Sequence, residues 1–151
     1  MGDARWLDER EQGAWRSFLA LHMRLHAQLG RELAAVSDLS YSDYGVLVAL
    51  TDRAEGRMRL HELADDLGWE RSRVSHQVSR MVTRGLVGKE RCDADRRGAW
   101  VVVTAPGREA IAAAAPNHVA SVRRLFVDIL TPAELDTLTR IARKVLPTLD
   151  D

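Results

Sequence analysis

Apolar positions along this chain recur mostly at intervals of three and four, the spacing that lines one side of an α-helix. Over residues 7–36 the stripe is Trp15, Phe18, Leu19, His22, Leu25, Leu29 and Leu33, uninterrupted by proline. Asp8, Glu9 and Glu11 suit the positive end of that helix's dipole. Ser40, with Asp43 three residues on, has the form of a capping box and opens a second helix through Tyr44, Leu47, Val48 and Leu50. A polar loop at 51–56 and a short strand at 57–59 follow. Leu60, Leu63, Ala64 and Leu67 then predict a third helix, stopped by Gly68, and Val74, Val78, Met81 and Val82 predict a fourth, stopped at Gly85.

The period shortens after Gly85. Residues 86–91 and 99–103 read as strands around a polar loop at 92–98, the second strand being β-branched and aromatic. Thr104 caps an alanine-rich helix expected to run to Leu130, with a kink at Pro116. Thr131-Pro-Ala-Glu134 is a full capping box with proline at the first helical position. The last stripe is Leu135, Leu138, Ile141, Ala142, Val145, Leu146 and Leu149. The fold class expected is mainly α with a small β-wing: six helices and a three-stranded sheet built around a helix-turn-helix.

The polar face of the fourth helix changes this from a fold to a function. It carries Ser72, Arg73, His76, Ser79, Arg80 and Thr83. The chain as a whole is neutral, with 22 basic and 22 acidic residues. Residues 71–97, however, hold eight Lys or Arg against three acids, a net of +5, which leaves −5 for the rest. Positive charge concentrated on one helix and the loop after it is the footprint of a nucleic-acid-reading surface.

Leu63-Ala64…Leu67, the run Arg80-Met-Val-Thr-Arg-Gly-Leu-Val87 and above all Asp95-Arg-Arg-Gly-Ala-Trp-Val-Val-Val-Thr104-Ala-Pro-Gly107 resemble the MarR family of bacterial transcription regulators. The resemblance covers nearly the whole chain. It implies one MarR-like domain over 1–151, with a DNA-binding winged helix at about 41–104 and dimerisation helices at about 7–36 and 105–149. It further implies a homodimer on a palindromic double-stranded operator, a repressor role and release by a small aromatic or phenolic ligand. Two local departures are Met58-Arg59, where the family offers Ser or Thr to cap the third helix, and Glu70, an indifferent cap for the fourth. The unpaired apolar stripes at both ends of the chain call for a partner subunit on their own account.

On the fourth helix, Arg73 and Arg80 can fork onto guanine, and His76 and Gln77 can hydrogen-bond base edges. Ser72, Ser75 and Ser79 are short enough to reach phosphate or base. Arg96 and Arg97 suit a narrow minor groove, with Asp95 orienting a wing arginine. For a small ligand the candidates are Trp15, His22 and His26 on the first helix and Tyr44 on the second, flat walls with a histidine able to meet a carboxylate or phenol oxygen. Trp15 and His22 read equally as residues that complete the core.

Other chemistries find less support. His22 and His26 stand i, i+4, with His118 on the kinked helix expected to pack nearby, which admits a metal-sensing alternative, but no acid or cysteine stands at ligand spacing and no metal or cofactor is expected. The single cysteine, Cys92, excludes an internal disulfide framework and has no resolving partner. There is no phosphate loop, serine elbow or nucleophile–base spacing, so an enzyme is not expected. No run approaches a membrane span and the first residues lack a signal peptide's apolar core, pointing to a reduced, cytoplasmic setting. The remaining rival is a winged-helix protein-interaction module without DNA, which would carry a more apolar outer face.

Overall fold

A computed structural model describes residues 4–91 and 98–149. Six α-helices and three strands follow in the order α1 (Glu9–Val36), α2 (Tyr41–Thr51), β1 (Arg57–Arg59), α3 (Leu60–Leu67), α4 (Arg71–Thr83), β2 (Val87–Arg91), β3 (Ala99–Val103), α5 (Ala105–Leu125) and α6 (Pro132–Val145). The expected fold class is the one observed. Contacts divide the chain into two compact units, residues 30–117 and residues 4–29 with 118–149.

The first unit holds the core. Leu33, Leu39, Leu47, Leu50, Met58, Leu63, Val74, Val78, Met81, Val87, Val101 and Val103 are buried together, drawn from the end of α1, from α2, α3 and α4, and from the sheet. Removing one of them by truncation, Leu63→Ala for instance, costs about 2–5 kcal/mol. The sheet order is β1-β3-β2, antiparallel throughout, with Met58 opposite Val101 and Val87 opposite Val103. The alternating residues Arg57, Arg59 and Trp100 therefore share the other face, where both guanidinium groups lie within 4.6 Å of the Trp100 ring centroid.

Gly68 and Gly85 both take left-handed backbone (φ 62° and 75°), ending α3 and α4 as their positions in the sequence suggest. Thr104 does more than cap α5. Its Oγ1 donates to the Gly85 carbonyl at 2.6 Å and accepts from the Gly107 N–H at 3.1 Å, so the first turn of α5 is stapled to the end of the helix-turn-helix. At Gly107 there is no room for a side chain, because a Cβ would run into the carbonyl of Leu86.

Several boundaries differ from expectation. α1 starts at Glu9 because Asp8 is its cap: the Glu11 N–H donates to Asp8 Oδ1 at 2.8 Å and the Asp8 N–H to Glu11 Oε2 at 2.9 Å. β2 starts at Val87, and Val82 is exposed, leaving Val74, Val78 and Met81 as the buried stripe of α4. α5 ends at Leu125, where Phe126 leaves helical backbone (φ −142°) and a one-turn 3₁₀ helix at Val127–Ile129 follows. Arg123 pairs with Asp128 across that corner at 2.5 Å. α6 ends at Val145 and tightens into a 3₁₀ turn at Leu146–Leu149, since Pro147 has no amide hydrogen to continue the ladder. Pro116 lies inside α5, as read. Arg59 and Glu70 make no side-chain cap, although Glu62 accepts the Arg59 N–H at 2.9 Å.

The second unit, built from the first part of α1, the end of α5 and α6, has almost no interior. Among its described residues Leu29 is buried, while Trp15, Phe18, Leu138, Ile141 and Val145 are exposed.

Candidate nucleic-acid interface

α4 presents two opposite faces. Val74, Val78 and Met81 are fully buried, which fixes the helix against α2 and α3 and turns Ser72, Arg73, His76, Ser79 and Arg80 to solvent. Five of the expected contact residues are therefore brought together on one exposed face. The Arg73 guanidinium lies over the Trp69 ring at 4.1 Å, so an aromatic residue in the turn holds it near the start of the helix. The Lys89 ammonium donates to Ser79 Oγ at 3.3 Å, joining the second strand's charge to the same surface.

Ser75 and Gln77 are half-buried. Gln77 is the clear departure from expectation: its Nε2 donates to Asp43 Oδ1 at 2.6 Å, so its amide is turned toward α2 instead of outward. Arg84, at the end of α4, is likewise committed, donating from Nη1 to Asp43 Oδ2 and from Nη2 to the Asp38 carbonyl, both at 2.6 Å. Asp43, read from the sequence as a capping residue, does cap α2, accepting the Ser40 N–H at 2.9 Å while its own N–H donates to Ser40 Oγ. It is also the one buried charged residue of the described chain, at 1 % exposure. Its partners lie 34 and 41 positions away, a separation that leaves no local pattern to read.

Arg96, Arg97, Asp95 and Cys92 lie outside the described residues. The two strands that carry the loop between them are in place, paired from Val87 opposite Val103 to Arg91 opposite Ala99.

The ligand candidates fall into different units. Trp15, Phe18, His22 and His26 form a ladder along α1, with successive ring centroids 5.9, 6.2 and 6.0 Å apart. Tyr44 belongs to the core of the other unit, where burial raises its phenol above the ordinary value, with Tyr41 adding to the effect. Sequence gave no hint of a cleft of about 540 Å³ between the end of α1, the 37–39 segment, Arg84 and α5, lined by Val36, Leu39, Leu86, Ala113 and Ala114. Burial lowers the His118 imidazole below its ordinary value. Among the described residues no group of three or more His, Cys, Asp or Glu is placed to hold a metal ion, so His22 and His26 gain no third ligand there. Nor is any described helix long and apolar enough to cross a membrane.

Comparison with known proteins bears on the same elements. Residues 37–98 match the family model described as MarR family. AbsC, a MarR family transcriptional regulator from Streptomyces coelicolor, is 40% identical, with 97% of this chain and 99% of that one covered and a TM-score of 0.89. Sco3205, another from Streptomyces coelicolor and solved in complex with DNA, is 36% identical over 100% of this chain and 94% of its own, with a TM-score of 0.92. The transcriptional regulator HosA of Escherichia coli O127:H6 is 28% identical over 134 residues, 88% of this chain and 96% of that protein.

Proposed function

This chain belongs to the MarR family of transcriptional regulators, and from that premise we propose that it is a homodimeric, sequence-specific repressor acting in the cytoplasm on palindromic double-stranded DNA. The observation that carries the reading is the outward face of α4, where Ser72, Arg73, His76, Ser79 and Arg80 stand together beside the Lys89 strand. Arginine forks suit guanine edges in the major groove and hydroxyls suit phosphates. A protein-interaction module would put apolar side chains there.

The dimer follows from the second unit. A helical body that exposes Trp15 at 51 % and Phe18 at 56 %, with Ile141 and Val145, and that buries little beyond Leu29, needs cover. A second copy supplies a matching apolar face, and two-fold symmetry then matches a palindrome.

Control by a small aromatic acid rests on the ladder Trp15, Phe18, His22 and His26, flat apolar walls beside imidazoles that can meet a carboxylate. Such a ligand releases DNA by binding better to the dimer whose recognition helices are wrongly spaced. The test is a pre-formed protein–DNA complex followed by fluorescence anisotropy at several salt concentrations, with a panel of aromatic acids added. Affinity is expected to fall steeply with salt, with a log–log slope near −0.9 for each phosphate neutralised. At least one acid is expected to release the DNA, and to do so less well from His22→Ala or Trp15→Phe. A salt-independent affinity, or none, contradicts DNA binding; equal release from wild type and both variants moves the ligand away from α1.

A further inference from the structure

We propose that Asp43 is a positioning residue for DNA readout, a buried carboxylate that fixes the rotation and height of the recognition helix α4 against the junction of α1 and α2. The inference rests on α4 being the DNA-reading helix.

Asp43 sits at the third position of α2, fully enclosed, and its two oxygens take different residues, one within α4 and one capping its C-terminal end. Oδ1 accepts from Gln77 and Oδ2 from Arg84, both at 2.6 Å, and Oδ2 also accepts the Ser40 N–H at 2.9 Å. Gln77 and Arg84 are seven residues apart, two helical turns, so they flank the same side of the helix beside the buried Val78 and Met81. The second arm of Arg84 reaches the Asp38 carbonyl, in the segment where Ser37 Oγ donates to the Leu33 carbonyl of α1. One carboxylate thus ties the middle and the C-terminal end of the recognition helix to the point where α1 passes into α2.

This arrangement does what apolar packing does poorly. The valine and methionine stripe tolerates small rotations, because dispersion contacts are many, weak and undirected. Two charge-assisted or short hydrogen bonds at different heights do not. Sliding α4 by one residue moves it about 1.5 Å and turns it about 100°, which breaks both at once. Base readout needs that register, since Arg73, His76 and Arg80 must meet base edges together. Only the carboxylate of this ion pair is buried, the Arg84 side chain being 39 % exposed, and burying a charge offsets much of what its partners return, so the pair's contribution lies in fixing geometry more than in adding stability.

The test compares affinity for the duplex preferred by the wild-type protein with affinity for an unrelated duplex of equal length, alongside the melting temperature. Asp43→Asn keeps size and polarity but removes the charge and sets an NH2 against a donor. Asp43 cannot itself touch DNA. We expect the variant to lose roughly 5- to 150-fold on the preferred duplex, the equivalent of one or more misplaced base contacts. Binding to the unrelated duplex, which depends on phosphate charge, should stay within about twofold. Val46→Ala, a cavity in the same helix, serves as the control: it should lower the melting temperature and leave the ratio of the two affinities unchanged. If Asp43→Asn does not fold, Arg84→Lys carries the comparison, because it keeps the charge but cannot span Asp43 and Asp38 together. An unchanged affinity ratio in the folded variant overturns the inference. A wild-type protein that binds DNA without preferring any duplex overturns the readout itself, and the inference falls with it.

Discussion

Arg73, Arg80 and Arg84 are alike in the sequence, guanidinium groups on or directly after one short helix, yet their surroundings divide them. Arg73 is stacked on Trp69, Arg80 is exposed on the outward face, and Arg84 is bound into the fold by Asp43 and Asp38. The outward pair was legible from helical period alone, because Val74, Val78 and Met81 fix which side is inside. Gln77 and Arg84 were not, since a polar or charged residue beside a buried stripe looks solvated until a distant carboxylate is folded against it. The pair on the outer face should therefore behave as readers. Arg73→Ala and Arg80→Ala are each expected to weaken binding to the preferred duplex by about 1–3 kcal/mol, the worth of one forked contact to guanine. Titration of each variant against that duplex checks it, and wild-type affinity in both would remove the readout from this face.

Elements are most legible in the sequence where local chemistry closes on itself. Ser40 with Asp43 and Thr131 with Glu134 form the boxes their spacing implies, and Thr104 caps α5 as its motif suggests. Where the cap was an unmarked acid, as with Asp8 and Glu11, the boundary slipped by two residues. The ends of α5 and α6 also fell short of the periodic stripes, since apolar spacing continues through a 3₁₀ turn almost unchanged while the hydrogen-bond ladder does not. The Thr131 box has a measurable consequence. Hydrogen bonds from the Thr131 backbone and then its side chain hold the Glu134 carboxyl below its ordinary value. A carboxyl lowered on folding contributes stability above its unfolded value, and that contribution is lost as the pH falls through the folded one. Thr131→Ala, which removes the hydroxyl and keeps the backbone N–H, is expected to move the Glu134 carboxyl part of the way back up in a carbon-detected NMR titration and to flatten the acid side of the stability curve. An unmoved titration would mean that the Thr131 hydroxyl does not bond the Glu134 carboxylate in solution.

At the scale of the molecule, two bodies of different character share one chain. The winged helix closes its own core around Leu47, Leu63, Val78 and Val101, whereas the unit built on α1 and α6 leaves its large side chains outside. That contrast was visible as stripes with no partner at both ends of the sequence. The cleft beside Arg84 and the clustering of Trp100 with Arg57 and Arg59 were not, because they depend on strand register and on helices meeting far along the chain. The function proposed for the chain requires a symmetric dimer to carry two α4 faces to successive turns of the major groove. Selection from a pool of random duplexes tests that claim directly. The enriched sites should be imperfect palindromes whose half-sites are about 10 base pairs apart, centre to centre, and each should be occupied by two copies of the chain. A pool without enrichment, or a strongly asymmetric site bound by one copy, would contradict it.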